Sequence, residues 1–361
     1  GRGQGSGQQG AFMTVRSFDI GNAIFHFFKR FGENPGGALW IMICQTVLVG
    51  LLAAAGVALF VPVWDNLSQL IILDDAGQLS DEEAVRRVFG MLMPIMGFMP
   101  FIALAGIALA LMSQAAWLRF LTRGEVKPGL PFRLGGDEFR LLGVNLLYWV
   151  LGVVIYFGFM TFFAISVVGA GVAAGGRDAN VFTGAAGGLI VALIVLVLLI
   201  AVLVIAVRMA CAPALTVHQS RFRFFESWTA TRGVFWHMLV SYIAVAVMAF
   251  ILSSIIGGFI QLAFLGALWP VLMEFITLEA SGAKADPQQV IDAISNIFAN
   301  PVTMGMIGLG FVLSYFMQIV WEGMWHGVAA YNAQRVGEEG SADDRTVLER
   351  DHPMGASPRE G

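Results

Sequence analysis

The chain has 361 residues, of which 57% are hydrophobic and only 13% charged. Soluble domains carry roughly 25% charged residues, and a water-soluble fold of this length cannot hide so much apolar surface, so the composition points to a bilayer as solvent. The formal net charge of −4 excludes a global nucleic-acid footprint; where the charges lie matters more than their sum.

Residues 1–12, "GRGQGSGQQGAF", read as a polar extension or tag ahead of Met13. No secretory signal is read, because the first apolar run starts near residue 38 and is too long for one. "SFDIGNAIFHFFKRFGENPGGALW" then leads into the membrane. In it Ile20, Ile24, Phe27, Phe28 and Phe31 recur with helical periodicity, while Asp19, Asn22, His26 and Lys29 take the other face. The pattern predicts an amphipathic helix lying in the interface, phenylalanines down.

Six segments of about 20 or more apolar residues follow, at 38–63, 91–118, 141–172, 184–210, 234–260 and 302–326. The fold class is therefore all-α integral membrane: six transmembrane helices with short interfacial amphipathic helices. The membrane domain covers 13–336. "PFRLGGDEFRLLGVNLLYW" precedes span 3, with Asp137 as N-cap, and "RFRFFESWTATRGVFWHML" precedes span 5, with Gly233 as a helix end. Each resembles the entry to span 1, which suggests three helical-hairpin units at 14–125, 130–219 and 220–336. The fifth apolar stretch runs on to 273 and is expected to break at Gly257-Gly258.

Of the 21 Lys and Arg residues, all but Arg86, Arg87, Arg177 and Lys284 fall on the side of the two termini. The positive-inside rule places that side, and both termini, in the cytoplasm. On the far side "SDEE" at 80–83 reads as a capping box and "DPQQVIDAISNIF" as an interfacial helix with Asp286 as N-cap, Pro287 following, and a face of Val290, Ile294, Ile297 and Phe298. Residues 337–361 are polar and read as a disordered cytoplasmic tail.

Between spans 4 and 5 the chain makes an elbow. Pro213 cannot continue the helix ladder of span 4. Phe222, Phe224, Phe225 and Trp228 suit the interface, and Arg221, Arg223 and Arg232 can meet anionic lipid head groups at about 1 kcal/mol each. His218, Glu226 and Ser227 form no triad or metal pattern. The predicted partners are membrane lipids, anionic at the cytoplasmic face, and an unidentified membrane protein; no nucleic acid is expected.

"RMACAPALTVHQSRFRFFESWTATRGVFW" resembles a group of bacterial inner-membrane proteins related to the membrane domain found beside glycerophosphodiester phosphodiesterases. The shared pattern falls on Arg208, Pro213, Ser227, Trp228, Thr231 and Gly233, and "AAWLRFLTRGE" at 115–125 is similar to the same group. The likeness covers most of 13–336. These residues include no phosphodiesterase domain, so that activity is not carried over. The resemblance implies an integral membrane role in envelope maintenance.

Inside the spans Glu322 stands out. A mid-bilayer acid costs roughly 2.5–3.5 kcal/mol on insertion scales, so a partner is expected, with Arg208 and Arg119 at comparable depth. His326, one turn later, makes a titratable pair with it. Gln45, Gln114, Asn145, Gln261 and Gln318 suit interhelical hydrogen bonds or a pathway, and Gly184 with Gly188 suits close helix packing. Cys44 and Cys211 read as small hydrophobes. No catalytic residue, metal ligand or cofactor motif is read. The leading expectation is a non-enzymatic scaffold or envelope-integrity protein. The alternatives are a small-molecule or lipid transporter with Glu322 in its pathway, and a lipid-modifying enzyme using Glu322 and His326.

Overall fold

The computed structural model describes residues 17–75, 77, 80–127, 129–173, 185–280, 288, 291–292, 295–296 and 299–351. Among them every regular element is a helix: α1 (Ile20–Ile24), α2 (His26–Glu33), α3 (Pro35–Asp75), α4 (Asp81–Arg123), α5 (Gly136–Ala173), α6 (Ala185–Met209), α7 (Ala212–His218), α8 (Glu226–Ala230), α9 (Phe235–Ala280) and α10 (Pro301–Asp351). Six stretches, in α3, α4, α5, α6–α7, α9 and α10, are long and apolar enough to cross a membrane. The protein is an all-α, multi-pass membrane protein.

The helix ends follow local chemistry. Asn34 caps α3, its Oδ1 accepting the Gly37 amide at 3.0 Å, with Pro35 in the first turn. Ser80 caps α4 through the Glu83 amide at 3.3 Å, as its sequence foretells. Gly124, at φ 69°, ends α4 in the left-handed conformation that glycine adopts freely. Pro213 sits in the first turn of α7 after α6 stops at Met209.

Several expectations are corrected. The entry to span 1 is two helices, interrupted at Phe25, and it packs into protein: Phe27 is 1% exposed and His26, assigned to the polar face, is 5% exposed. Unit 2 has no separate interfacial helix; its charged residues open α5 directly. Asp137 is not the N-cap. Gly135 holds that position, and Glu138 reaches back to its amide at 3.0 Å, the acid half of a capping box. α9 passes Gly257 and Gly258 unbroken through 46 residues. α10 likewise continues unbroken, to Asp351. Gly184 and the interfacial face built on Asp286, Pro287, Val290, Ile294, Ile297 and Phe298 lie outside the described residues.

The core sits at one end. Phe18, Phe27, Ile41, Trp117, Leu121, Leu215, Met238, Ile319 and Val328 belong to one buried cluster. It gathers the starts of α3 and α9, the ends of α4 and α6 and the middle of α10 around the short helices; this is the junction. α3 lies along α4 and α9 along α10, while α5 and α6 join the rest mainly through α4, α7, α8 and α9. Away from the junction Leu51, Phe60, Phe101, Trp149, Phe157, Phe250 and Phe259 are all exposed. Lipid tails cover such a surface, and the helices keep their own backbone hydrogen bonds there.

Candidate functional site

The junction concentrates the polar groups, and most of them serve helix ends. A helix leaves its last carbonyls without intrahelical donors. At the end of α6, the Arg208 carbonyl accepts from Ser227 Oγ at 2.8 Å and Thr231 Oγ1 at 3.4 Å. The next carbonyl, of Met209, accepts from the Tyr148 hydroxyl at 2.5 Å. The Arg208 guanidinium lies over the rings of Trp228 and Phe235, at 5.4 and 5.2 Å, a cation–π pair on an aromatic clamp. Gly233 makes the left-handed turn into α9, two residues beyond the end cap of α8 at Thr231. The spacing of Arg208, Ser227, Trp228, Thr231 and Gly233 thus describes one tie between α6 and the elbow.

The end of α4 is tied in the same manner by more distant residues. His26 Nε2 donates to the Leu121 carbonyl at 3.1 Å. Gln334 Nε2 donates to the carbonyls of Leu121 at 3.2 Å and Thr122 at 2.7 Å. Burial holds the His26 ring uncharged, its pKa pushed down to about 4, with Arg30 and Lys29 adding to the effect. A neutral ring that donates through Nε2 keeps Nδ1 as an acceptor.

Beside this lies an ion network. Arg119, 5% exposed, meets Glu138 at 2.6 Å and Asp137 at 3.7 Å. Asp137 also faces Arg123 at 3.4 Å and Arg140 at 3.0 Å. Arg123 reaches on to α7, donating to the His218 carbonyl at 3.3 Å and to Ser220 Oγ at 2.6 Å. Ser220 has φ 52° and closes α7, with the Arg221 amide returning to the Thr216 carbonyl at 3.2 Å. Deeper in, Asn332 is fully buried; its Nδ2 donates to Cys211 Sγ at 3.3 Å and the Ala230 carbonyl at 3.1 Å, fixing α10 to the elbow.

Two glycines let the first helices dock. A Cβ at Gly323 would meet the Phe27 ring, and one at Gly327 would lie 3.2 Å from the Phe27 backbone nitrogen. Phe27 therefore fills a notch that only the Gly323–Gly327 spacing opens. A Cβ at Gly337 would come 2.6 Å from His218 Nε2, so α7 also meets α10 at a glycine.

Between α2, the end of α4, α7 and α10 a cavity of about 510 Å³ opens. Asn22, His26, Lys29, Arg30, Glu33, Thr122, His218, Tyr331, Gln334, Gly337 and Glu338 line it. Arg30 Nη1 donates to Glu33 at 2.8 Å. Arg30 Nε and His218 Nδ1 are buried without a hydrogen-bond partner among the described residues.

The residues expected to form an intramembrane site do not converge. Arg119 pairs with Glu138, and Arg208 stacks on aromatics. Glu322 faces His326 on its own helix, 3.6 Å away, and meets neither arginine; its side chain is 30% exposed. In the elbow, Pro213 is buried, Arg223 pairs with Glu226 at 3.0 Å, and Arg221, Trp228 and Arg232 face outward. Gln45 accepts from Trp117 Nε1 at 2.8 Å and Asn145 donates to Gln114 at 2.8 Å, both between helices. Gln261 and Gln318 are exposed. Cys44 and Cys211 are free thiols.

The sequence reading overlooked Glu138, Asn332, Gln334 and the Phe27 notch. A signal existed for two of these. Asp137 and Glu138 are adjacent acids on a strongly basic side, and Gly323 and Gly327 have the small-residue spacing of close helix contacts. No family model, curated protein or solved structure matches the chain.

Proposed function

We propose that this is a non-enzymatic, multi-pass protein of a bacterial inner membrane, both termini cytoplasmic, that organises lipid or a membrane-protein partner through the elbow face of its junction. The observation that supports the reading is the direction of the junction's polar groups. Ser227, Thr231, Tyr148, His26 and Gln334 go to helix-end carbonyls, and Arg119 goes to carboxylates. What remains outward at the elbow is Arg221, Phe222, Phe225, Trp228 and Arg232, cations set among exposed aromatics. That composition suits anionic head groups.

The orientation rests on the basic residues clustering on the junction side. The resemblance of the 208–236 stretch to proteins of bacterial envelopes agrees with a role in envelope integrity and brings no enzymatic activity with it. A second reading, transport with Glu322 in the pathway, draws on the Glu322–His326 pair.

Native mass spectrometry of protein released from gently solubilised membranes separates the two. Lipid or a protein partner retained equally by the wild type and Glu322→Gln supports the scaffold. A small molecule lost with Glu322→Gln, in a variant that still folds, overturns it in favour of transport. Reporter fusions test the orientation: a cytoplasmic signal at position 76 or 285 would reverse it.

A further inference from the structure

The guanidinium of Arg208 is fixed in place without an anion. It lies over the rings of Trp228 and Phe235, at 5.4 and 5.2 Å. Stacking of this kind uses the faces of the planar group, while its N–H donors lie in the plane and stay available. Among the described residues none accepts a hydrogen bond from the guanidinium, and none forms an ion pair with it. Arg232 belongs to the same place. The Arg208 carbonyl accepts from Thr231, the residue before it, and Arg232 lies between the two stacking residues in the chain. Its side chain is exposed and likewise forms no ion pair among the described residues. From residue 205 to 240 the only acid is Glu226, which is committed to Arg223 at 3.0 Å. Two neighbouring cations without a carboxylate repel each other, so the patch calls for an anion from outside the chain.

The position of the patch selects the anion. Arg208 stands in the last turn of α6, which packs against α9. Leu203 on α6 and Trp236 and Val240 on α9 are exposed beside it. An anion that brings apolar tails lays them along these side chains, and a soluble anion does not. Arginine forks take phosphate through paired hydrogen bonds. Two forks offer more donors than the two unesterified oxygens of a phosphodiester can use. A phosphate monoester has three such oxygens and a charge of about −1.5 to −2 near neutral pH, the complement of two guanidiniums. We propose that Arg208 and Arg232 form a seat for a lipid phosphate monoester, phosphatidate being the simplest, with its tails along α6 and α9. The seat gives the elbow reading a lipid class and rests on that reading.

The test uses the full chain. It is reconstituted in phosphatidylcholine bilayers carrying equal amounts of phosphatidate and phosphatidylglycerol, extracted gently, and weighed by native mass spectrometry. Titration of each lipid into the extract gives its affinity. The wild type should hold phosphatidate about tenfold over phosphatidylglycerol, the worth of one further charged hydrogen bond. Arg232→Gln removes an exposed fork; Arg208→Lys keeps a charge under the rings and loses the fork. Each should weaken phosphatidate binding about tenfold. Arg221→Gln removes an equal charge from the elbow outside the seat and should leave the lipid bound. Thermal midpoints check that each variant folds, and Arg232→Gln decides alone if Arg208→Lys does not. Equal retention of the two anionic lipids, wild-type binding by folded Arg232→Gln, or equal weakening by Arg221→Gln and Arg232→Gln overturns the seat. Anionic lipid still held over phosphatidylcholine in those cases leaves the elbow reading standing. An extract that holds neither lipid nor a protein partner overturns both.

Discussion

The indole Nε1–H of Trp117 donates to Gln45 Oε1 at 2.8 Å, with Trp117 fully buried and Gln45 4% exposed. The bond fastens α4 to α3 inside the core. Interhelical hydrogen bonds in membrane proteins average about 0.6 kcal/mol, and the larger ones reach about 1.7. Trp117→Phe keeps most of the ring and removes the donor. It should lower stability by about 1–2 kcal/mol, read as a fall in the thermal midpoint of the detergent-solubilised protein. An unchanged midpoint would show that the bond contributes nothing.

Gly323→Val should undock the first two helices. The added carbons meet the Phe27 ring, which is itself enclosed. Overpacking of this kind costs typically about 1–3 kcal/mol. Limited proteolysis near residues 20–33 is the sensitive readout, since the segment becomes cleavable once Phe27 leaves its notch. Combining Gly323→Val with Phe27→Ala removes the clash and should recover part of the loss.

Arg119 and Glu138 form the most enclosed charge pair in the network, with side chains 6% and 2% exposed. Removing one partner of such a pair costs about 3–5 kcal/mol, because a buried charge is left behind. Arg119→Met or Glu138→Gln alone should be strongly destabilising. The double variant should be less harmful than their sum, measured by a double-mutant cycle on thermal midpoints.

The ring of His26 gives the junction a dependence on acid. Its folded pKa, about 4, lies below the ordinary 6.5, so the unfolded chain binds the proton more readily. Stability from this group is complete above pH 6.5, declines as the pH falls toward 4, and changes no further below that. The full span corresponds to about 3 kcal/mol. His26→Gln preserves a donor toward the Leu121 carbonyl and should flatten the decline between pH 6.5 and 4.

The legible parts of this fold are those whose cause is local. Six apolar runs, the Ser80 cap and the stop at Pro213 each depend on a few adjacent residues. The break expected in α9 at Gly257-Gly258 misjudged magnitudes: a glycine in a helix costs about 1 kcal/mol, whereas a broken ladder in hydrocarbon leaves backbone groups unsatisfied at several kcal/mol each. The elbow pattern was visible as spacing, but its bonds to the Arg208 carbonyl were not, since a spacing does not say which atom accepts. Glu322 was assigned a distant arginine and, on its own helix, His326; the structure brings it to His326 at 3.6 Å and not to an arginine. Arg119 instead meets Glu138, across the turn between two spans. The Gly323–Gly327 spacing marked a close contact, but not that Phe27, almost a full chain earlier, would fill it.

Gln334 belongs to the last long helix, yet it holds the end of the second. During synthesis the carbonyl of Thr122 therefore waits for more than two hundred residues to be made before this donor exists, while that of Leu121 has only His26. The earlier helices must be kept at the membrane in an unfinished state, and a product cut short before Gln334 cannot close the junction. The assembly becomes tight only once α10 has been delivered.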